Sequence, residues 1–312
     1  MAEPTRFRTL RPWLLATFGR PVHRLALDAG SSCPNRDGTR GFGGCAYCDV
    51  EGSGTGALKS GLDLARQLEL GLKRLSRRDD GKAGVIAYFQ SYSNTYVSPE
   101  RLDEVLAPLD ARLGEPIVAV SVATRPDTLP DWSLARLARL AERVPVWIEL
   151  GLETANDQVL LDINRLHTAA EFLEAVRRVR AAGLLCVGHA ILGLPGDGRE
   201  GARRTAELLA ASACEGVKVH QLMVLQKTQL AARWRAGECP VLELDKYVQW
   251  LADFVERLAP EQILHRLTAD ADAPELLAPL WSRAKNDVRA ALERELERRG
   301  SGQGCAAQPQ AR

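Results

Sequence analysis

The sequence predicts an α/β fold in which helices cover a parallel β-sheet. Apolar segments alternate with segments of helical periodicity from about residue 22 to about residue 225. The strand segments are apolar almost throughout, as expected when both faces of a parallel sheet are covered. Polar residues gather where these segments end, which is where barrels and open sheets both bind ligands. This pattern is compatible with an open doubly wound sheet and with a barrel.

The individual elements follow in order along the chain. The predicted strands are at 22–28, 84–90, 116–123, 144–152, 184–192 and 216–225. The predicted helices between them are at 60–75, 99–113, 131–143, 156–163, 168–182 and 198–213. The helix at 99–113 has the clearest start, because Ser98 is a favourable N-cap and Pro99 suits the first helical position.

The alternation stops after residue 225, so we divide the chain into four parts. Residues 1–20 form an N-terminal arm, and 21–230 form the α/β domain. Residues 231–299 form a helical extension with helices at 242–258 and 273–297 and a short extended segment at 263–270. Residues 300–312 are rich in Gly, Gln and Ala and are predicted to be disordered.

The composition is that of a globular protein. The chain has 312 residues, of which 46% are hydrophobic and 26% are charged. It has no run of 18 apolar residues and begins without an apolar stretch of signal-peptide type, so we expect a cytoplasmic protein with no membrane partner. The net charge of +1 neither requires nor excludes a nucleic-acid partner.

Three cysteines lie in a glycine-rich loop directly after the first strand. Eleven residues separate Cys33 from Cys45, and two separate Cys45 from Cys48. Three converging thiolates suit a metal or an iron–sulfur cluster. A structural zinc normally takes four protein ligands, and no fourth Cys or His lies nearby. Three ligands would leave one iron of a [4Fe–4S] cluster open for chemistry.

Other functions of these cysteines stay open at this point. A zinc- or cluster-binding protein without catalysis would need a fourth ligand. A Cys-x-x-Cys redox protein would use Cys45 and Cys48 as a dithiol and would leave Cys33 unexplained. The remaining cysteines are scattered, and we interpret Cys186, Cys214, Cys239 and Cys305 as packing or tail residues that bind no metal.

The motifs together resemble one family. The loop CPNRDGTRGFGGCAYCD (33–49) is similar to the cluster loop of radical S-adenosylmethionine (SAM) proteins of the YhcC/YtqA type, in the Elp3-like radical SAM group. Further segments of the same family appear in order: YFQSYSNTY (88–96), TRPDTLP (124–130), ELGLET (149–154), INRLHT (163–168), HAILGLPGD (189–197), GVKVHQL (216–222) and HRLTAD (265–270). The chain departs from this pattern at Leu166, where Gly is expected, and at Asp197, where Glu is usual.

The resemblance implies a partial (β/α)6 radical SAM barrel and two cofactors. Cys33, Cys45 and Cys48 would hold a [4Fe–4S] cluster, and SAM would chelate the fourth iron. One electron would then cleave SAM to methionine and a 5′-deoxyadenosyl radical, which abstracts hydrogen from the substrate. The protein would position these groups and keep out water.

The same resemblance implies the SAM contacts. Gln90 would hold the methionine amino group, and Arg165 would pair with the SAM carboxylate through its guanidinium fork. Glu153 and His189 would touch the ribose, and Tyr47 would pack near the adenine. The roles of His220, Arg266 and Asp270 are left open.

The resemblance also implies a substrate and partners. Relatives in the Elp3-like group act on wobble uridines of tRNA, and the YtqA-type proteins are associated with trimming a carboxymethylaminomethyl group to aminomethyl. A tRNA partner would suit the arginines at 6–24, because phosphate contacts dominate affinity for nucleic acids. An electron donor such as flavodoxin or ferredoxin would supply the reducing electron. Neither the substrate itself nor the oligomeric state follows from the sequence.

Overall fold

The structure is a computed structural model that describes residues 5–48, 61–269, 271 and 274–307. The strands are β1 Val22–Leu27, β2 Gly84–Phe89, β3 Ile117–Thr124, β4 Val146–Glu153, β5 Leu185–Leu192, β6 Gly216–Gln221, β7 Val224–Leu225, β8 Ile263–Arg266 and β9 Leu276–Ala278. The α-helices are α1 Leu10–Phe18, α2 Leu64–Ser76, α3 Pro99–Leu106, α4 Asp131–Ala141, α5 Asp157–Asp162, α6 Ala169–Ala181, α7 Gly198–Ala211, α8 Gln229–Arg235, α9 Leu244–Arg257 and α10 Lys285–Arg299.

Seven of these strands form one parallel half-barrel. Their order is β1-β2-β3-β4-β5-β6-β8, and every pair is parallel. Five of the six predicted strands are confirmed. The sixth, predicted at 216–225, is divided into β6 and β7, and β7 pairs with β9 in a separate two-stranded sheet. The seventh, β8, comes from the extended segment of the C-terminal extension, which is therefore not purely helical. The strands at the two ends of this order, β1 and β8, are edges, so the barrel is open between them.

The crossover helices pack on the outside of the half-barrel because their apolar faces match those of the strands. Leu68, Leu72 and Leu75 of α2 are buried with Leu25 and Leu27 of β1. Gly71 of α2 allows close approach, since an added Cβ there would lie 2.3 Å from Leu25 Cδ1. The other faces of the strands point into the lumen, where the polar residues of the site lie.

The N-terminal arm contains a helix that closes the bottom of the half-barrel. Leu10 and Leu14 of α1 are buried against Ile86 and Ile263. The rings of Trp13 and Trp147 meet edge to face with centroids 5.7 Å apart. The arm is therefore part of the core, because its apolar face completes the packing below the lumen.

The C-terminal tail differs from its prediction. Gln303 donates hydrogen bonds to the carbonyls of Ala259 (2.7 Å) and Gln262 (2.8 Å). Its own amide donates to the carbonyl of Arg6 at 2.8 Å. The expected disorder is wrong for residues 300–307, because one glutamine satisfies three backbone carbonyls of neighbouring segments. Residues 308–312 lie outside the described residues.

Within the described part of the chain, no helix combines the length and the apolar character needed to cross a membrane.

Candidate active site

A cavity of about 210 Å³ opens at the C-terminal ends of the half-barrel strands. The cysteine loop forms one wall, and the ends of β2 to β6, the turn after α5 and strand β8 contribute the rest. All eight residues that the sequence singled out line it: Cys33, Cys45, Tyr47, Cys48, Gln90, Glu153, Arg165 and His189. His220 and Arg266 line it too. Asp270 lies outside the described residues.

The cysteine loop is held against the turn after α5 by two asparagines. The Asn35 amide donates to the carbonyls of Asn164 (2.5 Å) and Arg165 (3.3 Å). In return, the Asn164 amide donates to the loop carbonyls of Phe42 (3.0 Å) and Gly44 (2.7 Å). These reciprocal bonds fix the position of Cys45, because they bind the backbone directly before it. Neither asparagine was singled out from the sequence.

Each of two cysteine sulfurs has a cationic neighbour. A guanidinium nitrogen of Arg36 lies 3.3 Å from Cys48 Sγ, and one of Arg165 lies 3.7 Å from Cys45 Sγ. Burial opposes the charge of Arg36, but the Cys48 thiolate outweighs this effect and the pKa of Arg36 is raised. The thiolate is the form that binds metal, so these guanidinium groups lie where they can offset its negative charge.

Strand β4 ends in a bulge that directs Glu153 toward Arg165. The pairing of β4 with β5 shifts between Gly151 and Glu153, and Glu153 has a φ of 69°. An Arg165 nitrogen lies 3.4 Å from a Glu153 oxygen and donates to the Gly151 carbonyl at 3.1 Å. An added Cβ at Gly151 would lie 2.3 Å from both side chains, so this position requires glycine. Bulges and left-handed residues commonly occur beside functional sites.

Two buried arginines of the cavity wall have hydrogen-bonding capacity to spare. Among the residues that the structure describes, Arg165 Nε and Arg125 Nη1 are buried and have no hydrogen-bond partner. The rest of the Arg125 fork binds Asp127 with two bonds of 2.8 Å and the Arg165 carbonyl with one of 2.8 Å. Unpaired buried donors are costly, so these nitrogens suit an incoming anion such as an amino-acid carboxylate.

The two histidines of the wall are held neutral. Burial lowers the pKa of His189, whose Nε2 lies 3.0 Å from a Glu149 oxygen. Burial and Arg266 lower the pKa of His220 to about 3. A neutral imidazole can donate from one nitrogen and accept at the other, as hydrogen bonds to hydroxyl groups require.

The thiols do not form a site for a single metal ion. Across residues 5–48, 61–269, 271 and 274–307, no group of three Cys, His, Asp or Glu side chains could hold one ion. In a [4Fe–4S] cluster each cysteine binds a different iron, so the thiols surround the cluster without converging on one point. The three thiols therefore fit the ligand set of a [4Fe–4S] cluster, whereas a structural zinc site normally has four protein ligands.

Several site residues escaped the sequence reasoning. Arg36, Arg125 and Glu149 also line the cavity. Arg125 belongs to the segment TRPDTLP (124–130), and its position at the end of a predicted strand was the available signal. Glu149 lies inside the apolar strand β4, where a carboxylate buried to 2% exposure is itself unusual.

Comparison with known proteins agrees with this geometry. The Radical SAM superfamily profile matches residues 33–209, and the Radical_SAM C-terminal domain profile matches residues 214–298. Protein YtqA of Bacillus subtilis is 40% identical over 304 residues, covering 96% of this chain and 92% of YtqA. Protein YhcC of Escherichia coli K12 is 35% identical over 288 residues, covering 92% of this chain and 91% of YhcC.

One solved structure shares the fold, and a more distant relative matches part of the sequence. The archaeal Methanocaldococcus infernus Elp3 superposes with a TM-score of 0.71 at 15% identity, covering 91% of this chain. This chain spans 64% of that Elp3 chain. The tRNA uridine(34) acetyltransferase of Dehalococcoides mccartyi is 25% identical over 179 residues, covering 56% of this chain and 38% of that protein.

One family profile covers more than half of the chain, and a relative 40% identical covers nearly all of it. The chain therefore belongs to the radical SAM superfamily, whose members use a [4Fe–4S] cluster and SAM.

Proposed function

We propose that this protein is an enzyme that reductively cleaves SAM at a [4Fe–4S] cluster bound by Cys33, Cys45 and Cys48. The observation that carries the proposal is the single cavity that all eight predicted site residues share. When bound, the cluster supplies the electron that splits SAM into methionine and a 5′-deoxyadenosyl radical. Arg36 and Arg165 offset the negative charge of the thiolates beside them.

The chain's own residues would orient SAM. The spare nitrogens of Arg165 and Arg125 bind its carboxylate, and Gln90, at the end of β2, accepts from its amino group. The neutral His189 and the carboxylate of Glu153 bind the ribose hydroxyls, and the half-buried ring of Tyr47 packs on the adenine. These contacts would fix the ribose 5′ carbon relative to the cluster, which is a positioning role.

We further propose that the substrate is a wobble uridine of tRNA. The support is the sequence similarity to a protein whose name places its action on uridine 34 of tRNA, together with the Elp3-like fold. A reductant is required for the cleavage, and a flavodoxin or ferredoxin is the proposed electron donor.

The chemical step can be tested directly. Anaerobically reconstituted protein should contain about four iron and four sulfide per chain. With a chemical reductant and SAM it should release 5′-deoxyadenosine. A folded protein that takes up zinc in preference to iron, or a reconstituted protein that leaves SAM intact under reduction, would contradict the proposal.

The substrate has a separate test. Mass spectrometry of tRNA nucleosides from a strain lacking the gene should show a changed wobble-uridine nucleoside, which the wild-type gene restores. A strain producing the Cys45→Ala protein should resemble the deletion strain. An unaltered nucleoside profile would reject tRNA as the substrate while leaving the SAM chemistry untouched.

A further inference from the structure

A basic groove follows the open side of the half-barrel. It has a volume of about 750 Å³ and lies between the edge strands β1 and β8, beneath α1 and beside α10. Its described lining includes Arg11, Arg24, Arg266 and Arg289, and contains no aspartate or glutamate. Arg266 also lines the cavity of the cysteine loop, so the groove and the cavity share a wall.

The guanidinium groups of this groove are poorly neutralised. Arg289 is paired with Glu293 at 3.1 Å. Arg24 makes one long hydrogen bond, 3.5 Å, to the carbonyl of His265. Among the residues that the structure describes, no hydrogen bond or ion pair involves the Arg266 guanidinium.

Glu149, the lumen carboxylate whose charge acts on Arg24, is not free to neutralise these arginines. Glu149 is already occupied by Lys218, by Ser121 at 2.6 Å and by His189 at 3.0 Å. Burial lowers the pKa of Lys218 to about 7, and the charges of Arg24 and Arg266 act in the same direction, whereas Glu149 raises it. Three cations therefore face one carboxylate in a region of low dielectric constant.

An arginine cannot relieve this repulsion by losing its proton. The excess positive charge therefore destabilises the folded protein as long as no anion is bound. We propose that Arg24 and Arg266 form a subsite that binds an oxyanion of the substrate, a phosphate or a carboxylate, at the open side of the half-barrel. The inference rests on the proposed function, because the anion belongs to the substrate that reaches the SAM cavity.

This subsite would be separate from the one proposed for the SAM carboxylate. Arg125 and Arg165 are tied to Asp127 and Glu153 on the β3 and β4 side of the cavity. Arg24 and Arg266 come from the two edge strands. A substrate held there by its anionic group would extend along Arg266 into the cavity, where its reacting carbon could meet SAM.

The test uses the melting temperature of the reconstituted protein, measured anaerobically. Inorganic phosphate or acetate replaces chloride at constant ionic strength. A ligand that binds only the folded state raises the melting temperature. We expect a rise with at least one anion, and we expect the Arg24→Gln/Arg266→Gln protein to bind that anion about ten- to a hundredfold more weakly.

A stronger response to phosphate would assign a nucleotide phosphate, and a stronger response to acetate would assign a carboxylate substituent.

Arg20→Gln is the matched control, because Arg20 is bound to Glu115 at the surface. It should keep the full anion response. Without added anions, the double variant should melt no lower than the parent, since it loses like-charge repulsion.

Two results would overturn the subsite. One is a parent protein whose melting temperature changes with neither anion, and the other is a double variant whose melting temperature rises as much as that of the parent. Unchanged tRNA nucleosides in the deletion strain would instead reject the tRNA substrate and leave the anion response standing.

Discussion

Leu166 holds a backbone conformation that leucine rarely adopts. Its φ is 61°, in the left-handed region, which costs an L-residue roughly 1–2 kcal/mol. This explains why the family pattern has glycine at this position. The leucine side chain packs over Gly41 of the cysteine loop, where an added Cβ would lie 2.5 Å from Leu166 Cδ1.

That contact predicts a strong coupling between the two positions. Gly41→Ala should destabilise the protein by about 1–3 kcal/mol, because the added methyl overlaps Leu166. In a Leu166→Gly background the same change should cost less than about 0.5 kcal/mol, since the overlapping atoms are gone. Urea unfolding of the four proteins measures this double-mutant cycle. Equal costs in both backgrounds would show that Leu166 does not restrict Gly41.

Arg165 is the residue on which the proposed SAM site depends most. It is 8% exposed and touches Cys45, Gly151 and Glu153. Arg165→Lys keeps the charge and loses the fork, so it should weaken SAM binding about ten- to a hundredfold, at about 1.5–3 kcal/mol for a hydrogen bond to a charged group. Anaerobic calorimetric titration with SAM measures the affinity.

The iron content should remain at the parent's value in Arg165→Lys, because the arginine is not a ligand. Gly188→Ala is a matched control for general loss of packing. An added Cβ there would meet Leu209 at 2.4 Å on the outer side of β5, away from the cavity. Gly188→Ala should lower stability and leave SAM affinity alone. Parent-like SAM affinity in Arg165→Lys would mean that this arginine only braces the loop.

For individual residues, the sequence was informative where the residue type itself indicates a function, as for closely spaced cysteines. The cysteine spacing selected three of the residues that line the cavity, and the family resemblance supplied the other five. The roles of Arg125 and Asn35 could not be predicted, since they depend on contacts with Asp127 and Asn164 that arise only in the fold. The sequence does not show which groups the side chain of a loop asparagine will bind.

Among the elements, the strands of the alternating α/β pattern were predictable, and β8 was not predictable as a strand of the same sheet. The six predicted strands are mainly apolar, although β1 contains His23 and Arg24. β8 contains His265 and Arg266, and it pairs with β6 and, through a single bridge, with Thr9. Its four residues also follow a long helix, so they read as an isolated extended segment. The sequence did not show that the N-terminal arm belongs to the core. Helix α1 buries two leucines under the lumen, against residues that are distant in the sequence.

The end of β4 and the start of α7 are joined by a carboxyl with an unusual pKa. Asp197 is 6% exposed and accepts a hydrogen bond from Thr154 at 2.9 Å. Burial raises the pKa of Asp197 to about 6. The folded state therefore prefers the protonated form, and the stability due to this group is present below about pH 4 and is lost as the pH rises through 6.

Asp197→Asn should remove this loss, because the amide oxygen can still accept from Thr154 and carries no charge. A shift of about two pKa units corresponds to about 3 kcal/mol as an upper bound. The variant should melt above the parent at pH 8 and together with it near pH 4. Melting curves across this range check the prediction, with Asp37→Asn in the exposed loop as a control. A difference that is constant across the range would rule out titration of Asp197 as its cause.

Considered as a whole molecule, the chain closes on itself around the half-barrel. Arg6 donates to the Ser301 carbonyl at 3.1 Å, and Gln303 accepts from the Arg8 amide at 2.9 Å. The two end segments thus secure α1 and α10 beside β8. The cavity of the cysteine loop lies away from these terminal contacts and is connected to them only through the strands. Mutations should therefore be able to abolish cofactor binding without unfolding the protein.

The cysteines allow cofactor binding and folding to be tested separately, because some of them line the cavity and others lie in the core. Cys33, Cys45 and Cys48 face the cavity, while Cys186 and Cys214 lie in the core with their sulfurs 3.6 Å apart. Replacing any of the three cavity cysteines by alanine should lower bound iron well below about four per chain and leave the apo fold intact. Iron and sulfide analysis after anaerobic reconstitution, with circular dichroism of the same samples, measures both.

Cys239→Ala is the sharpest control for this prediction. Cys239 is fully buried in the same apolar cluster as Ala46, directly under the cysteine loop, but it does not line the cavity. Its loss should cost some packing energy and leave about four iron and four sulfide per chain. If folded Cys239→Ala lost its iron while Cys45→Ala retained it, the cluster would have to be assigned to a different set of thiols.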